Sequence, residues 1–478
     1  MKLTPFAKLF IAVVVLGVIG FTAWHYEGDA IKQMFGGDKA EGSTAGPGAG
    51  SGGKGATVKK ADLLLSLDGS NTLGAKLIPA LAEEFLKRQG ATDVRTVPGA
   101  DNDEFLVQGK LPGDSATKSI QVKAHGSATA FTDLGSAVCD IGLASRRVDP
   151  AEIRALSSLG DMTSPLCEHI LALDGIAVIV SPQNPIQDLT RDQLGKIFTG
   201  EITSWTQVLS PRGRINLYAR DDKSGTYDTF KTLVLSGGQL ASGAKRFEDS
   251  AALSNAVASD PDGIGFIALP YIMSAKAVGV SDPGATPLIP TRTTVASEDY
   301  LLSRRLFLYT AANPQNPYVR KFVDFALSKA GQNVVEDGGF VAQNVKAENE
   351  RPVAAAPSGY KSLTAGAERL SLNFRFRSGS TDLDNKALVD LGRVIDFASD
   401  LKYTGQNILL LGFADNTGAA SANAALSAQR AKVVADQFKR RGLDPAVVTG
   451  LGSTLPVASN DTEDGREKNR RVEIWVRK

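Results

Sequence analysis

The sequence predicts an α/β protein with two folded bodies, and three observations carry that reading. Short apolar runs alternate with stretches of helical period through residues 61–346. A smaller pattern of strand, helix, strand, helix and strand (β-α-β-α-β) fills residues 365–478. The segments beside them are poor in large apolar residues: 28–60 is rich in Gly, Ser and Ala, and 347–364 holds Glu348, Glu350, Arg351, Pro352 and an Ala-Ala-Ala-Pro run, so both read as linkers. At 478 residues the chain exceeds one ordinary core. A formal net charge of +1, without a basic cluster interleaved with aromatics, gives no case for nucleic acid.

Residues 1–27 read as a membrane segment. Lys2 and Lys8 lead into an uncharged apolar run from Leu9 to Trp24, followed by Tyr26 and Glu27. The absence of a small-x-small cleavage pattern and the interfacial Trp24 and Tyr26 favour an uncleaved inner-membrane anchor over a cleaved signal. On either alternative the remaining chain works outside the cytoplasm, in the periplasm or, after cleavage, also in association with the outer membrane.

In the larger body, Leu63 to Leu67 reads as a strand and Leu73 to Arg88 as a helix with Leu77, Leu81, Ala82 and Phe85 on one face. Ile170 to Val180 is a strand region broken at Asp174-Gly175. Arg191 to Phe198 and Val319 to Leu327 show helical spacing. In the smaller body, Leu372, Phe374 and Phe376 alternate as in a half-buried strand, Lys386 to Ser399 is a helix, Asn407 to Phe413 a strand, Ala422 to Arg440 a helix and Val472 to Val476 a strand. Cys139 and Cys167 share the larger body, and either one disulfide or two buried thiols fits them. His25, His125 and His169 make no metal-ligand spacing with them, so no metal or other cofactor is expected.

The chemistry lies in repeated turns of one design. Arg220-Asp221-Asp222-Lys223-Ser224-Gly225-Thr226 follows a short apolar run and opens a helical stretch, which places Ser224, Gly225 and Thr226 at backbone N–H groups that lack intrahelical partners. Arg220 adds a planar fork of donors suited to an oxyanion. Ser70, Asn71 and Thr72 repeat the design after Asp68-Gly69. Gly126 and Ser127 precede another helical stretch, and Ser145 with Arg146 ends a strand. Together these turns suit one tetrahedral anion.

These segments, with Asp174 to Val180 and the run Ile197-Phe198-Thr199-Gly200-Glu201-Ile202-Thr203-Ser204-Trp205, resemble the phosphate-binding protein of bacterial phosphate ABC transporters over roughly 61–345. The resemblance implies a two-lobed type II periplasmic binding protein that closes on inorganic phosphate or a similar oxyanion and serves an ABC transporter permease. Carried over by position, its ligand contacts are Ser70, Asn71, Thr72, Gly126, Ser127, Ser145, Arg146, Arg220, Ser224, Gly225 and Thr226. Arg146 stands where some members carry the aspartate that accepts the proton of hydrogen phosphate; Asp68, Asp221 and Asp222 are candidate replacements.

A second site is legible near the C-terminus. Asp415 ends a strand, and Asn423, Ser427 and Arg430 share one face of the next helix, with Leu426 beside them. Taken alone, Asp415 and Arg430 suit a simple salt bridge or the two ends of a zwitterion. Gly412 to Arg430, Gly450 to Ser453, Pro456 to Asn460 and Asn469 to Ile474 resemble the OmpA-like peptidoglycan-binding domain. That resemblance implies that Asp415 and Arg430 hold the diaminopimelate residue of the wall peptide, shaped by Asn423, Leu426 and Ser427, with Arg470 and Arg471 as structural or rim residues rather than primary ligands. The leading reading is therefore a non-catalytic phosphate binder attached to peptidoglycan. An envelope organiser or phosphate sensor is the alternative; a hydrolase lacks a base near Ser224.

Overall fold

The computed structural model describes residues 62–101, 103–208, 213–222, 224–349, 356–377 and 380–478. The expected membrane segment and first linker lie outside them. Among the described residues no helix is long and apolar enough to cross a membrane.

Strand β1 (Leu63–Gly69) runs parallel to Lys118–Lys123 on one side and Ile141–Ala144 on the other. It hands the chain to a one-turn helix, α1 (Asn71–Gly74), and then to Leu77–Arg88, whose Leu77, Ile78, Leu81, Ala82, Phe85 and Leu86 form the buried stripe that the sequence spacing demands. Phe85 meets Phe322 edge-on at 5.4 Å in this core. Helix α2 (Ser127–Gly135) buries Ala130, Phe131 and Leu134. These elements make the first lobe.

Strand β2 (Glu168–Val180) explains how two lobes share one sheet. Its 13 residues are buried almost throughout, as an apolar run covered on both faces should be. In the second lobe the strand Asn216–Arg220 precedes helix α3 (Gly225–Phe230), anchored by Phe230, which stacks on Phe266 at 3.9 Å and meets Phe198 edge-on at 4.8 Å. Strand β3 (Ser303–Tyr309) returns antiparallel to the first half of β2, while Ile176–Val180 of β2 pairs with Gly263–Ala268. The sheet order is Thr92–Pro98, Glu104–Lys110, Lys118–Lys123, β1, Ile141–Ala144, β3, β2, Gly263–Ala268, Asn216–Arg220, Lys245–Phe247. The lobes thus part company at Asp174-Gly175, but β2 runs unbroken there, correcting the expected break: its pairing passes from β3 to Gly263–Ala268 without interrupting the strand.

Among the described residues the smaller body has a five-stranded sheet, in the order Ala347–Glu348, Ala367–Arg375, Arg471–Arg477, Ile408–Gly412, Val447–Gly450, with helices Asn385–Asp400 and Ala420–Lys439 against it. Val447–Gly450, parallel to Ile408–Gly412, is added to the expected skeleton; four half-exposed residues give little periodic signal. Segment 347–364, read as a linker, supplies an edge strand of this sheet and the helix Ser358–Thr364. A short helix, α4 (Glu463–Asn469), precedes the final strand.

The two bodies are docked, and this corrects the half-buried expectation for Ser371 to Phe376, which falls in the longer strand Ala367–Arg375. Its apolar residues face the smaller core as expected, but Arg369, Ser371, Asn373 and Arg375 on the other face are buried too. Asp299 accepts from Arg369 at 2.5 Å and from Asn373 at 2.8 Å, and Arg375 donates to the Ser297 carbonyl at 3.0 Å. Arg305 of β3 pairs with Glu298 and, at 2.7 Å, with Asp384 of the smaller body. The arginines around Asp299 outweigh its burial and hold its carboxyl below the usual range.

Cys139 and Cys167 are free, not bonded. Both sit among Leu156, Ile170 and Phe307 in one apolar cluster, where burial pushes each thiol pKa up, so they serve as small hydrophobic residues.

Candidate functional site

Three helix starts meet where the lobes touch. Gly69, at φ +141°, turns β1 into α1 and leaves Ser70 as an N-cap whose side chain makes no capping bond. Gly126, at φ +106°, has no side chain with which to cap α2, and Ser224 leaves α3 uncapped. Each start therefore keeps first-turn N–H groups for another acceptor, at the positive end of a dipole.

The turns are contiguous. Gly126 N donates to the Gly69 carbonyl at 2.8 Å, and Ser70 N to the Leu143 carbonyl at 2.8 Å. Ser127 and Ser145 hydroxyls lie 3.0 Å apart, with Ser145 N donating to Ser127 Oγ at 3.0 Å. Across the cleft, Gly225 lies so close to Thr72 that a Cβ there would stand 2.6 Å from Thr72 Oγ1. Ser70, Ser145 and Ser224 are buried. Thus Ser70, Asn71, Thr72, Gly126, Ser127, Ser145, Ser224, Gly225 and Thr226 belong to one set of turns.

Neither nominated arginine has its guanidinium free. Arg146 makes a two-pronged bond to Glu152 at 2.7 and 2.8 Å and lies over the Phe131 ring. Arg220 donates to the Phe247 and Glu248 carbonyls and to Ser250 Oγ. The cation at the junction is Arg304 of β3, which the sequence reading did not single out. Its Nη2 donates to Thr72 Oγ1 at 2.9 Å and to the Gly225 carbonyl at 3.3 Å, and its Nε to Asp174 Oδ2 at 3.3 Å. The signal available was a Ser-Arg-Arg run opening an otherwise apolar strand.

The three candidate carboxylate acceptors are also placed. Asp222 pairs with Arg246 at 2.6 Å and Asp221 lies 3.6 Å from Arg220. Asp68 is buried; burial pushes its pKa up to about 7, Lys123 opposing and neighbouring Asp133 adding to the rise.

In the smaller body, Asp415 accepts from Thr417 N at 2.9 Å and pairs at 3.1 Å with Arg470, not Arg430. Arg470 also bonds Glu463, so it ties this turn to α4. Arg430 is buried beside the Phe376 ring with Nε and Nη1 lacking hydrogen-bond partners. Burial first, and the Arg470 charge second, bring its pKa down to about 10, while Asp415 opposes the shift. Buried Asn423 shares the helix face, and Leu426 is half-buried there. Ser427 is committed to the scaffold, donating to the Ala424 carbonyl and accepting from Gly452 N, both at 2.9 Å.

The model of the family described as PBP superfamily domain matches residues 109–330, and that of the OmpA family residues 375–470. Protein SphX of Synechocystis sp. is 32% identical over 46% of this chain and 68% of its own length. The chain belongs to the PBP superfamily. It is a PstS-like binding protein fused to an OmpA-family domain. The phosphate-binding protein PstS of Borreliella burgdorferi is 28% identical to this PstS-like chain over 46% of it and 79% of the relative. A solved structure of a possible phosphate binding protein from Planctomyces limnophilus matches 58% of the chain and 92% of its own, at 25% identity and a TM-score of 0.47.

Proposed function

We propose that this chain binds inorganic phosphate between its lobes, without catalysis, as the periplasmic capture step of an ABC-type phosphate uptake system, while its OmpA-family domain holds the diaminopimelate residue of peptidoglycan. The observation that carries the first half is the meeting of three uncapped helix starts with buried serine hydroxyls, an arrangement that satisfies several oxygens of one small anion at once. The names of the phosphate-binding relatives agree with it. For the second half, the orphaned guanidinium of Arg430 near the Asp415 carboxylate supports a ligand bearing both a carboxylate and an ammonium group. Attachment to the inner membrane through residues 1–27 belongs to the same reading.

Calorimetry on the full chain with phosphate, sulfate and molybdate tests the anion site. Saturable heat at one equivalent of phosphate, unmatched by sulfate, is the expected result; no heat with any of the three sinks the reading. Sedimentation with purified peptidoglycan, lost in Asp415→Ala and Arg430→Ala, tests the wall site.

A further inference from the structure

We propose that Arg304 is the positioning residue of the anion site, a latch rooted at the lobe junction that holds the two opposed helix starts in closing register. The inference rests on the anion-binding reading of the cleft and deepens it.

Arg304 stands on β3 directly opposite Asp174 on β2, at the point where β2 leaves one lobe for the other. Their ion pair at 3.3 Å roots the guanidinium at the bend itself, the part of a two-lobed protein that moves least during closure. From that root a single nitrogen, Nη2, reaches Thr72 of α1 in the first lobe and the Gly225 carbonyl of α3 in the second. Gly225 is held in turn: its carbonyl accepts from Thr229 Oγ1 at 2.8 Å, and the same hydroxyl lies 3.4 Å from Asp174 Oδ2. Thus β2, β3, α1 and α3 converge on one side chain.

Two physical consequences separate this role from simple core packing. First, the bonds to Thr72 and Gly225 coexist only while the lobes are together, so these two bonds stabilise the closed arrangement, while the Asp174 pair is common to both states. A contact made in one state alone shifts the population by its whole differential free energy. Second, a larger closed population before binding raises apparent affinity by the same factor, because less of the ligand's interaction energy is spent on closure. Arg304 also supplies a fixed positive charge to a site whose nominated cations, Arg146 and Arg220, are engaged with Glu152 and the 247–250 turn. Lysine replaces it only in part, since one ammonium keeps the charge but lacks the planar fork that serves Asp174 through Nε and the two helix starts through Nη2.

Interlobe distance and phosphate release, measured on the full chain, test the proposal together. Spin labels at Lys87→Cys and Thr206→Cys, exposed in the first and second lobes, report closure by pulsed electron resonance, the native thiols being buried. Without phosphate, Thr72→Val and Arg304→Gln are both expected to move the distance distribution to longer values, and the double variant to move it no further than Arg304→Gln alone. Thr72→Val removes only the first-lobe arm and leaves the Arg304–Asp174 pair, so it decides the matter even if Arg304→Gln folds poorly. With phosphate, Arg304→Gln is expected to release the anion about tenfold faster, with the association rate changed much less, and Arg304→Lys to restore only part of the loss. Distances identical to wild type in ligand-free Thr72→Val overturn the latch whatever the chain binds. Absence of phosphate heat in the wild type overturns the anion reading and leaves the distance test to stand by itself.

Discussion

Gly225→Ala isolates cleft closure from folding. Gly225 opens α3 with a backbone conformation that any residue adopts, so the added methyl costs nothing locally, and alanine is the better helix former. The obstacle is the other lobe: the new carbon would lie 2.6 Å from Thr72 Oγ1 and 3.2 Å from Thr72 Cα and Cβ. Turning the Thr72 hydroxyl away relieves the shortest contact but breaks its 2.9 Å bond with Arg304. A hydrogen bond to a charged group contributes about 1.5–3 kcal/mol, and its loss sets the scale of the effect once the shortest contact has been relieved. Because every 1.4 kcal/mol is tenfold, the phosphate Kd should weaken by about 10- to 100-fold. The melting temperature should match the wild type or exceed it slightly. Calorimetric titration with phosphate beside a circular-dichroism melt measures both. An unchanged Kd would refute the apposition of Thr72 and Gly225 in the liganded protein, and a large fall in melting temperature would show that the methyl clashes within the second lobe.

Three further outcomes follow from other buried charges. Arg430→Met should abolish sedimentation with peptidoglycan while leaving stability to denaturant equal or higher, since it removes a buried cation with orphaned nitrogens; lost stability would mean that Arg430 is a structural partner. Asp299→Asn should cost about 3–5 kcal/mol in denaturant unfolding by leaving Arg369, Arg375 and Arg471 without their shared carboxylate. In the wild type, the depressed pKa of Asp299 gives stability that is present above the unfolded value near 4 and is lost as pH falls further, so the gap between wild type and variant should narrow in acid. Asp68 has the opposite sign: its folded pKa of about 7 exceeds the unfolded one, so its protonated form favours the fold below about pH 4 and this contribution is lost as pH rises through 7. Asp68→Asn should therefore gain on the wild type between pH 5 and pH 8, and parallel pH profiles of the two proteins would contradict the burial argument.

The parts legible in the sequence were those written in neighbouring residues. Ser70-Asn71-Thr72 and Ser224-Gly225-Thr226 show strand, glycine, hydroxyl and helix start within a few positions, and they stand together across the cleft. Arg304 is not legible in the sequence because its role depends on register with Asp174, 130 positions away, and on two helices it touches only after folding. Arg470 pairs with Asp415 and Glu463, a contact the sequence does not show, because an isolated Asp and two downstream arginines do not reveal which guanidinium arrives first. The polar face of Ala367–Arg375 misled for a related reason. Alternation tells which residues avoid the smaller core, but not that Asp299 waits to bury the others.

Helix α4 gives the docked domain a mechanical meaning. Glu467 holds Arg147 of the first lobe at 3.0 Å, and Lys468 reaches the Glu298 and Tyr300 carbonyls beside the second. Arg470, one residue beyond α4, holds Asp415. A pull on the turn that carries Asp415 would therefore be felt through α4 at Arg147 and at the Glu298–Tyr300 segment, so the smaller body is coupled to both lobes through one short helix.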